Sequence, residues 1–281
     1  MLPSSICTAA ADACSKLCVR RASPALAALV TGACLTTGAL AFQPLVTDDT
    51  GTQGSGGNQV EFAAFRQRFT SLGDTTRTWT YPVVYTRGIT DALDVYAGVS
   101  FVRVRHAGPD EDTKGTGNPV LGVKWRAWED EARKLSVGLK PEIQFDVSDD
   151  VERRSLGAGR TGYGLALLLT QETEFGAVHV NLAANHVRYS LPENVDFHRR
   201  NLYRISAAPV FDVGEHWRLA ADLGVTTHPH RSEGATMGYA ELGAIWSPSK
   251  DLDFALGYIA ALHDGEQRVR TWTASLTWRF R

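Results

Sequence analysis

The stretch Leu135-Ser136-Val137-Gly138-Leu139-Lys140-Pro141-Glu142-Ile143-Gln144-Phe145-Asp146-Val147 decides the fold. Its odd positions, with Pro141 among them, are apolar, and its even positions are small, polar or charged. A period of two is the signature of a β-strand whose two faces meet different surroundings. Thirteen residues are far more than the ~5–6 of an ordinary globular strand and fit the ~9–11 or more that a tilted strand needs to cross a bilayer.

The same alternation recurs outward from this stretch. It appears at Leu93, Val95, Ala97, Val99 and Phe101; at Trp217, Leu219, Ala221, Leu223 and Val225; at Leu252, Phe254, Leu256, Tyr258, Ala260 and Leu262; and at Trp272, Ala274, Leu276, Trp278 and Phe280. Helical spacing is absent. The pattern predicts about twelve strands near 59–69, 76–87, 92–103, 118–128, 135–147, 161–171, 177–188, 201–212, 217–227, 238–247, 251–262 and 268–280. From the second strand onward the connections alternate short and long, as the periplasmic turns and outer loops of outer-membrane barrels do. The expected architecture is all-β, a transmembrane antiparallel up-and-down β-barrel. Pro82, Pro119, Pro141 and Pro209 fall inside these strands and oppose the assignment, because each lacks a ladder donor.

On that topology Tyr85, Trp125, Phe211, Trp217, Trp246, Phe254, Trp278 and Phe280 collect at the periplasmic strand ends. Trp79, Phe101, Phe145, Tyr163, Tyr203 and Trp272 collect at the other ends. Two aromatic girdles are expected where amphipathic rings sit at the two bilayer interfaces. The competing architecture is a soluble β-sandwich or ligand-binding barrel with the apolar face turned inward.

The chain ends support export. Residues 1–41 carry Lys16, Arg20 and Arg21, then an apolar run of small residues from Ala22 that closes on Ala39-Leu40-Ala41, the pattern of a secretory signal peptide cleaved near Ala41. A membrane-spanning helix and a lipid-anchored Cys34 are the competing readings of this leader. All 4 cysteines (Cys7, Cys14, Cys18 and Cys34) lie within it, so the mature chain has no thiol for a disulfide, a zinc site or a nucleophile. Loss of the leader takes the formal charge from −2 to −4, with acids and bases interspersed, which leaves no footprint for nucleic acid. The expected organisation is a signal peptide over 1–41, a periplasmic N-terminal segment over 42–58 and the barrel over 59–281.

With the apolar face toward lipid, Lys124, Arg126, Lys140, Glu142, Asp146, His179, Arg204, Arg218, Asp222, Glu241 and Asp253 point into the barrel and are the candidate pore residues. Gln144, Asn181, Asn185 and Arg279 join them. Charges there must pair or be hydrated, so the same set describes either a path for a small solute or a salt-bridge lattice that closes the lumen. Asp48 and Asp49, ahead of the first strand, form a periplasmic plug, a carboxylate pair for a cation, or a turn with Thr47, Thr50 and Gly51. Arg160, at the outer rim, is placed to meet lipid phosphate or lipopolysaccharide.

No cofactor or metal is expected: His228-Pro229-His230 offers two ligands without a third. An outer-membrane lipid hydrolase is the rival class, with His106, His186, His198, His228 and His230 as candidate bases, but no motif singles out a serine nucleophile. A structural or lipid-binding barrel without transport is the other alternative.

Trp278-Arg279-Phe280 resembles the C-terminal signal that the outer-membrane barrel assembly machinery recognises, with Arg281 added after the aromatic. Phe42-Gln43-Pro44-Leu45-Val46-Thr47-Asp48-Asp49-Thr50-Gly51-Thr52-Gln53-Gly54, Leu121-Gly122-Val123-Lys124-Trp125-Arg126 and Gly157-Ala158-Gly159-Arg160-Thr161-Gly162-Tyr163-Gly164 resemble segments of the MetA-pathway of phenol degradation family. The resemblance implies a transporter-like barrel in the outer membrane of a Gram-negative cell, linked by name to aromatic degradation, and brings no catalytic residue. The expected function is passage of a small, aromatic or otherwise hydrophobic solute through a narrow polar lumen.

Overall fold

The computed structural model describes residues 44–71, 74–105, 112–262 and 268–281. The expected leader, His106 and the whole connection 263–267 lie outside the described residues.

Alternation of lipid-compatible and polar side chains gives long strands, and each pairs antiparallel with its neighbour in sequence. They are β1 (Asn58–Ser71), β2 (Asp74–Thr90), β3 (Leu93–Arg105), β4 (Thr113–Thr116), β5 (Val120–Asp130), β6 (Leu135–Gln144) and β7 (Arg160–Thr173). The series continues with β8 (Gly176–Arg188), β9 (Asn201–Asp212), β10 (Trp217–Thr227), β11 (Thr236–Ser249), β12 (Leu252–Leu262) and β13 (Arg268–Phe280). β1 pairs with β13 over Asn58↔Phe280 to Thr70↔Arg268, so the sheet closes on itself and has no free edge. β4 and β5 occupy one position, pairing in turn with the outer and inner halves of β3, so the wall is a closed 12-stranded barrel.

Apolar side chains clothe its outside. Leu165, Leu182, Ile205, Leu223, Leu242 and Leu256 are exposed, a face that only lipid can cover. The expected girdle aromatics are exposed outside as well, save for Trp79, which is half-buried. Several stack across strands at the periplasmic end, with Trp217 and Trp246 centroids 6.2 Å apart and Trp246 and Phe254 5.5 Å apart.

The prolines turn out to sit where the ladder is interrupted. Pro119 lies in the break between β4 and β5, where Asn118 hydrogen-bonds the carbonyls of Phe145 and Ala158, each at 2.7 Å. The pairing of β2 with β1 skips from Val83 to Thr80, that of β6 with β5 from Glu142 to Leu139, and that of β9 with β10 from Val210 to Ala207. Pro82, Pro141 and Pro209 fall in those gaps, and the register runs on unshifted across each, so a proline removes a rung from one ladder while its strand stays paired on the other side, with Ser100, Leu165 and Val178.

Two expectations are corrected. β6 ends at Gln144 rather than 147, because the backbone N–H groups of Phe145 and Val147 turn to the carbonyls of Pro119 and Ala158. The long loops are not wholly irregular: they carry α1 (Asp149–Arg153), capped by Ser148, and α2 (Pro192–Phe197). Single helical turns are too short to leave a periodic signal. Glu152 of α1 is fully buried, and its carboxylate accepts from the N–H groups of Gly159 (2.6 Å), Ser190 (2.9 Å) and Leu191 (3.0 Å) and from Asn194 Nδ2 (2.8 Å). One carboxylate therefore ties two outer loops together, over a small cluster of Ala158, Val187, Tyr189 and Leu202.

Candidate functional site

The lumen is crossed by residues 44–57, which form a strap from wall to wall. At one end Pro44 packs on β11, where a Cβ on Gly243 would lie 2.5 Å from the proline Cγ, so only a glycine leaves it room. The strap then hands its backbone N–H groups to side chains of the wall in succession. Val46 donates to Glu241 (3.2 Å), Thr47 to Asp222 (2.6 Å), Asp48 to Asn181 (2.7 Å), Thr50 to Thr170 (3.1 Å) and Gln53 to Asp94 (3.0 Å). An irregular segment inside a barrel has no ladder of its own, so its buried donors must be met one by one.

Charge fixes the middle of the strap. Asp48 is 4% exposed and accepts from Lys140 Nζ at 2.5 Å and Lys124 Nζ at 3.0 Å. Lys124 also reaches Asp49 at 3.0 Å. Burial pushes the Asp49 carboxyl up, but the charges of Lys124 and His179, with hydrogen bonds from Lys124 and the Gly51 N–H, outweigh it and hold the group below the ordinary carboxylate range. Asp49 thus makes a turn with Gly51 and an ion pair with the wall at once. Lys140 also lies 5.1 Å above the ring of Tyr96, which itself lies over Gly122, where a Cβ would come within 2.2 Å of the ring.

The other inward charges fall into separate groups. Asp222 also accepts from Tyr239 Oη (3.0 Å), Glu142 accepts from Tyr96 Oη (3.1 Å), and His179 Nδ1 pairs with Thr170 Oγ1 (3.0 Å), so all three brace the surroundings of the strap. Arg204 is buried above it. On the periplasmic side Asp253 is paired with Arg218 (3.4 Å) and Arg279 (2.8 Å). Arg126 lies at the same mouth with Glu129 (3.3 Å). Asp146 stands apart, exposed beyond the end of β6 and accepting from Thr161 (2.9 Å).

Between the strap and the wall of β9, β11, β12, β13 and β1 lies a cavity of about 60 Å³, lined by Val46, Met237, Tyr239, Ile259, Val269 and Arg204 among others. Its surface is mainly apolar, in a lumen that is otherwise charged. Asp94, Ser136, Thr170 and Ser206 also hold the strap, Ser136 through Thr50 Oγ1 (2.6 Å) and Ser206 through Thr47 Oγ1 (2.7 Å), and sequence reasoning did not single them out. Their inward position in the alternation was the available signal.

Of the histidines, His198 packs against His230 with ring centroids 4.8 Å apart, and His230 lies 5.7 Å from His228, in the outer loops. His186 Nδ1 is 2.7 Å from Asn201 Oδ1. Among the described residues no group of three His, Cys, Asp or Glu side chains has the spacing to hold a metal.

The model of the family described as "Putative MetA-pathway of phenol degradation" matches residues 41–280. No curated protein matches the chain in sequence. Among solved structures, an outer membrane channel from Pseudomonas putida F1 is similar with a TM-score of 0.68 and 14% identity, over 83% of this chain and 98% of that one. The translocator domain of the autotransporter NalP from Neisseria meningitidis gives a TM-score of 0.52 and 12% identity, over 92% and 98%. Likeness at such identities is a likeness of fold.

Proposed function

This chain belongs to the MetA-pathway of phenol degradation family, and from that premise we propose that it is an outer-membrane channel for a small hydrophobic solute, aromatic compounds among them. The observation that carries this reading is the apolar cavity beside Val46, set against a strap held by ion pairs rather than by a sheet. A cavity of about 60 Å³ is smaller than the ~150 Å³ that houses a benzene-sized guest. Passage therefore requires the strap to move, and the Asp48 and Asp49 pairs are the contacts that hold it. Lys124, Lys140, Glu142, His179, Arg204, Asp222 and Glu241 line the path around the strap; Arg126, Arg218 and Asp253 line its periplasmic mouth; Asp146 lies at the outer rim. Supporting the reading are the family's name and the similarity of fold to an outer membrane channel.

The test is reconstitution of the intact barrel and of a variant lacking residues 44–55, each checked for heat-modifiable migration in gels. The expected result is a small conductance and slow uptake of phenol-like solutes by the intact protein, both raised in the variant. A folded variant with neither conductance nor uptake would leave a structural barrel braced by its own lumen as the better account. Release of fatty acids from phospholipid or lipopolysaccharide would instead assign the hydrolase class.

A further inference from the structure

On the outside of the barrel, at the rim that carries the long loops, the register places Arg270 of β13, Arg68 of β1, Arg77 of β2 and Arg105 of β3 side by side in one rank. The next rank toward the membrane is Trp272, Arg66, Trp79 and Arg103, and Arg268 stands one rank above. Directly paired residues of an antiparallel sheet share a face with Cβ atoms about 5 Å apart, and like charges so placed are destabilising. Seven arginines thus gather across four strands. Asp112 pairs with Arg103 (2.7 Å) and Arg105 (3.1 Å). Among the described residues no carboxylate lies within ion-pair distance of Arg66, Arg68, Arg77, Arg268 or Arg270.

We propose that this surface binds the phosphate groups of a phosphorylated glycolipid of the outer leaflet, that is, of lipopolysaccharide. Arginine forks suit phosphate, whose oxygens accept two parallel N–H bonds at once. A cleft of about 430 Å³ opens on this face among Arg66, Arg68, Arg268, Arg270, Tyr258 and Trp272, large enough for a phosphorylated sugar. The Tyr258 and Trp272 rings, with centroids 4.7 Å apart, floor it. The lipid-facing surface resumes immediately below, with Phe101, Phe62, Val83 and Val99 exposed. An amphiphile seated here keeps its phosphates on the arginines and its acyl chains on that apolar wall, which a soluble anion cannot do. The surface lies outside the barrel, so the inference stands apart from the channel reading.

The test measures binding of lipopolysaccharide by the purified protein in detergent, alongside enzymatically dephosphorylated lipopolysaccharide, phosphatidylethanolamine vesicles and inorganic phosphate as separate probes. Tight binding of the first probe alone is expected. The quadruple variant R66Q/R68Q/R268Q/R270Q should bind it about fivefold more weakly per arginine removed, while the corresponding lysine variant recovers part of the loss. R153Q/R188Q, on a different part of the same rim, should bind as the unaltered protein does. Heat-modifiable migration reports that each barrel is folded. Equal binding of the dephosphorylated form, equal loss in R153Q/R188Q, or a folded quadruple variant that binds normally would each overturn the proposal.

Discussion

Lys140 Nζ lies 2.5 Å from a carboxylate oxygen of Asp48, a contact between residues 92 apart in sequence that fastens the strap to the wall of the barrel. With the pair from Lys124, one buried carboxylate answers two ammonium groups.

Replacing Asp48 by Asn takes the carboxylate away from the Lys140 ammonium and leaves that of Lys124 with Asp49 alone. Removing one partner of a buried pair costs about 3 kcal/mol or more, because the other charge stays desolvated. D48N is expected to lower the temperature at which the barrel loses heat-modifiable migration and to raise conductance. If neither quantity moves, Asp48 does not hold the strap.

Asp49 sets a pH response on the acid side. Its folded-state pKa lies below the ordinary value, so it contributes stability that is fully present above about pH 4 and is lost as pH falls through the folded pKa. Strap attachment, read from a spin label or fluorophore near residue 52, should be constant from about pH 5 to 8 and loosen below about pH 4. In D49N the Asp49 contribution is missing at every pH, and that acid transition should shrink. An unchanged acid transition in D49N would assign the loosening to another group.

The outer loops respond in a different window. Burial holds the His198 imidazole below its ordinary pKa, against the opposing hydrogen bond to the Asn194 carbonyl and the charge of Glu152. The groups around it are Tyr189, His230 and the Asn194 carbonyl, with Arg231 bonded to its own carbonyl. A depressed folded pKa means that the unfolded loop binds the proton more readily. His198 therefore favours the closed loops fully above about pH 6.5, and that contribution falls as pH drops below this value. The protection of residues 189–200 against hydrogen exchange, taken relative to the intrinsic exchange rate at each pH, should fall from pH 7.5 to 5 in the unaltered protein and stay constant in H198F.

Glu152→Gln tests the carboxylate that joins α1 to the loop before α2. A glutamine presents an amide donor to some of the four donors that now converge on Glu152, at a cost of about 1–3 kcal/mol for each buried group left unsatisfied. Faster proteolysis within residues 148–160 and 189–200 is expected, with conductance through the strap-closed lumen unchanged. Equal protease resistance would show that the apolar cluster around Tyr189 holds the loops unaided.

The wall was legible in the sequence because its rule is local. Leu135 to Gln144 alternates for the same reason that Trp272 to Phe280 does, and each stretch states which face it turns to lipid without reference to its neighbours. An even number of such stretches returns both ends of the barrel chain to the same side; closure itself is the pairing of β1 with β13. α1 and α2 left no comparable trace, and Pro141 and Pro209 looked like errors until pairing gaps accounted for them.

The interior was legible as a list and not as an arrangement. Alternation turned Lys124, Lys140, Asp222 and Glu241 inward, yet it held no information on which would meet Asp48 and which Val46, contacts that span up to 195 residues. Arg66, Arg68, Arg268 and Arg270 likewise appeared as scattered charges until strand register set them in adjoining ranks. Sequence by itself determined the barrel, its polarity and the inward set, because side-chain alternation is a property of each strand alone. The tertiary structure decided the strap, its ion-pair lock and the arginine surface, because those depend on the register in which distant strands pair and on where an irregular segment finds partners for its buried N–H groups.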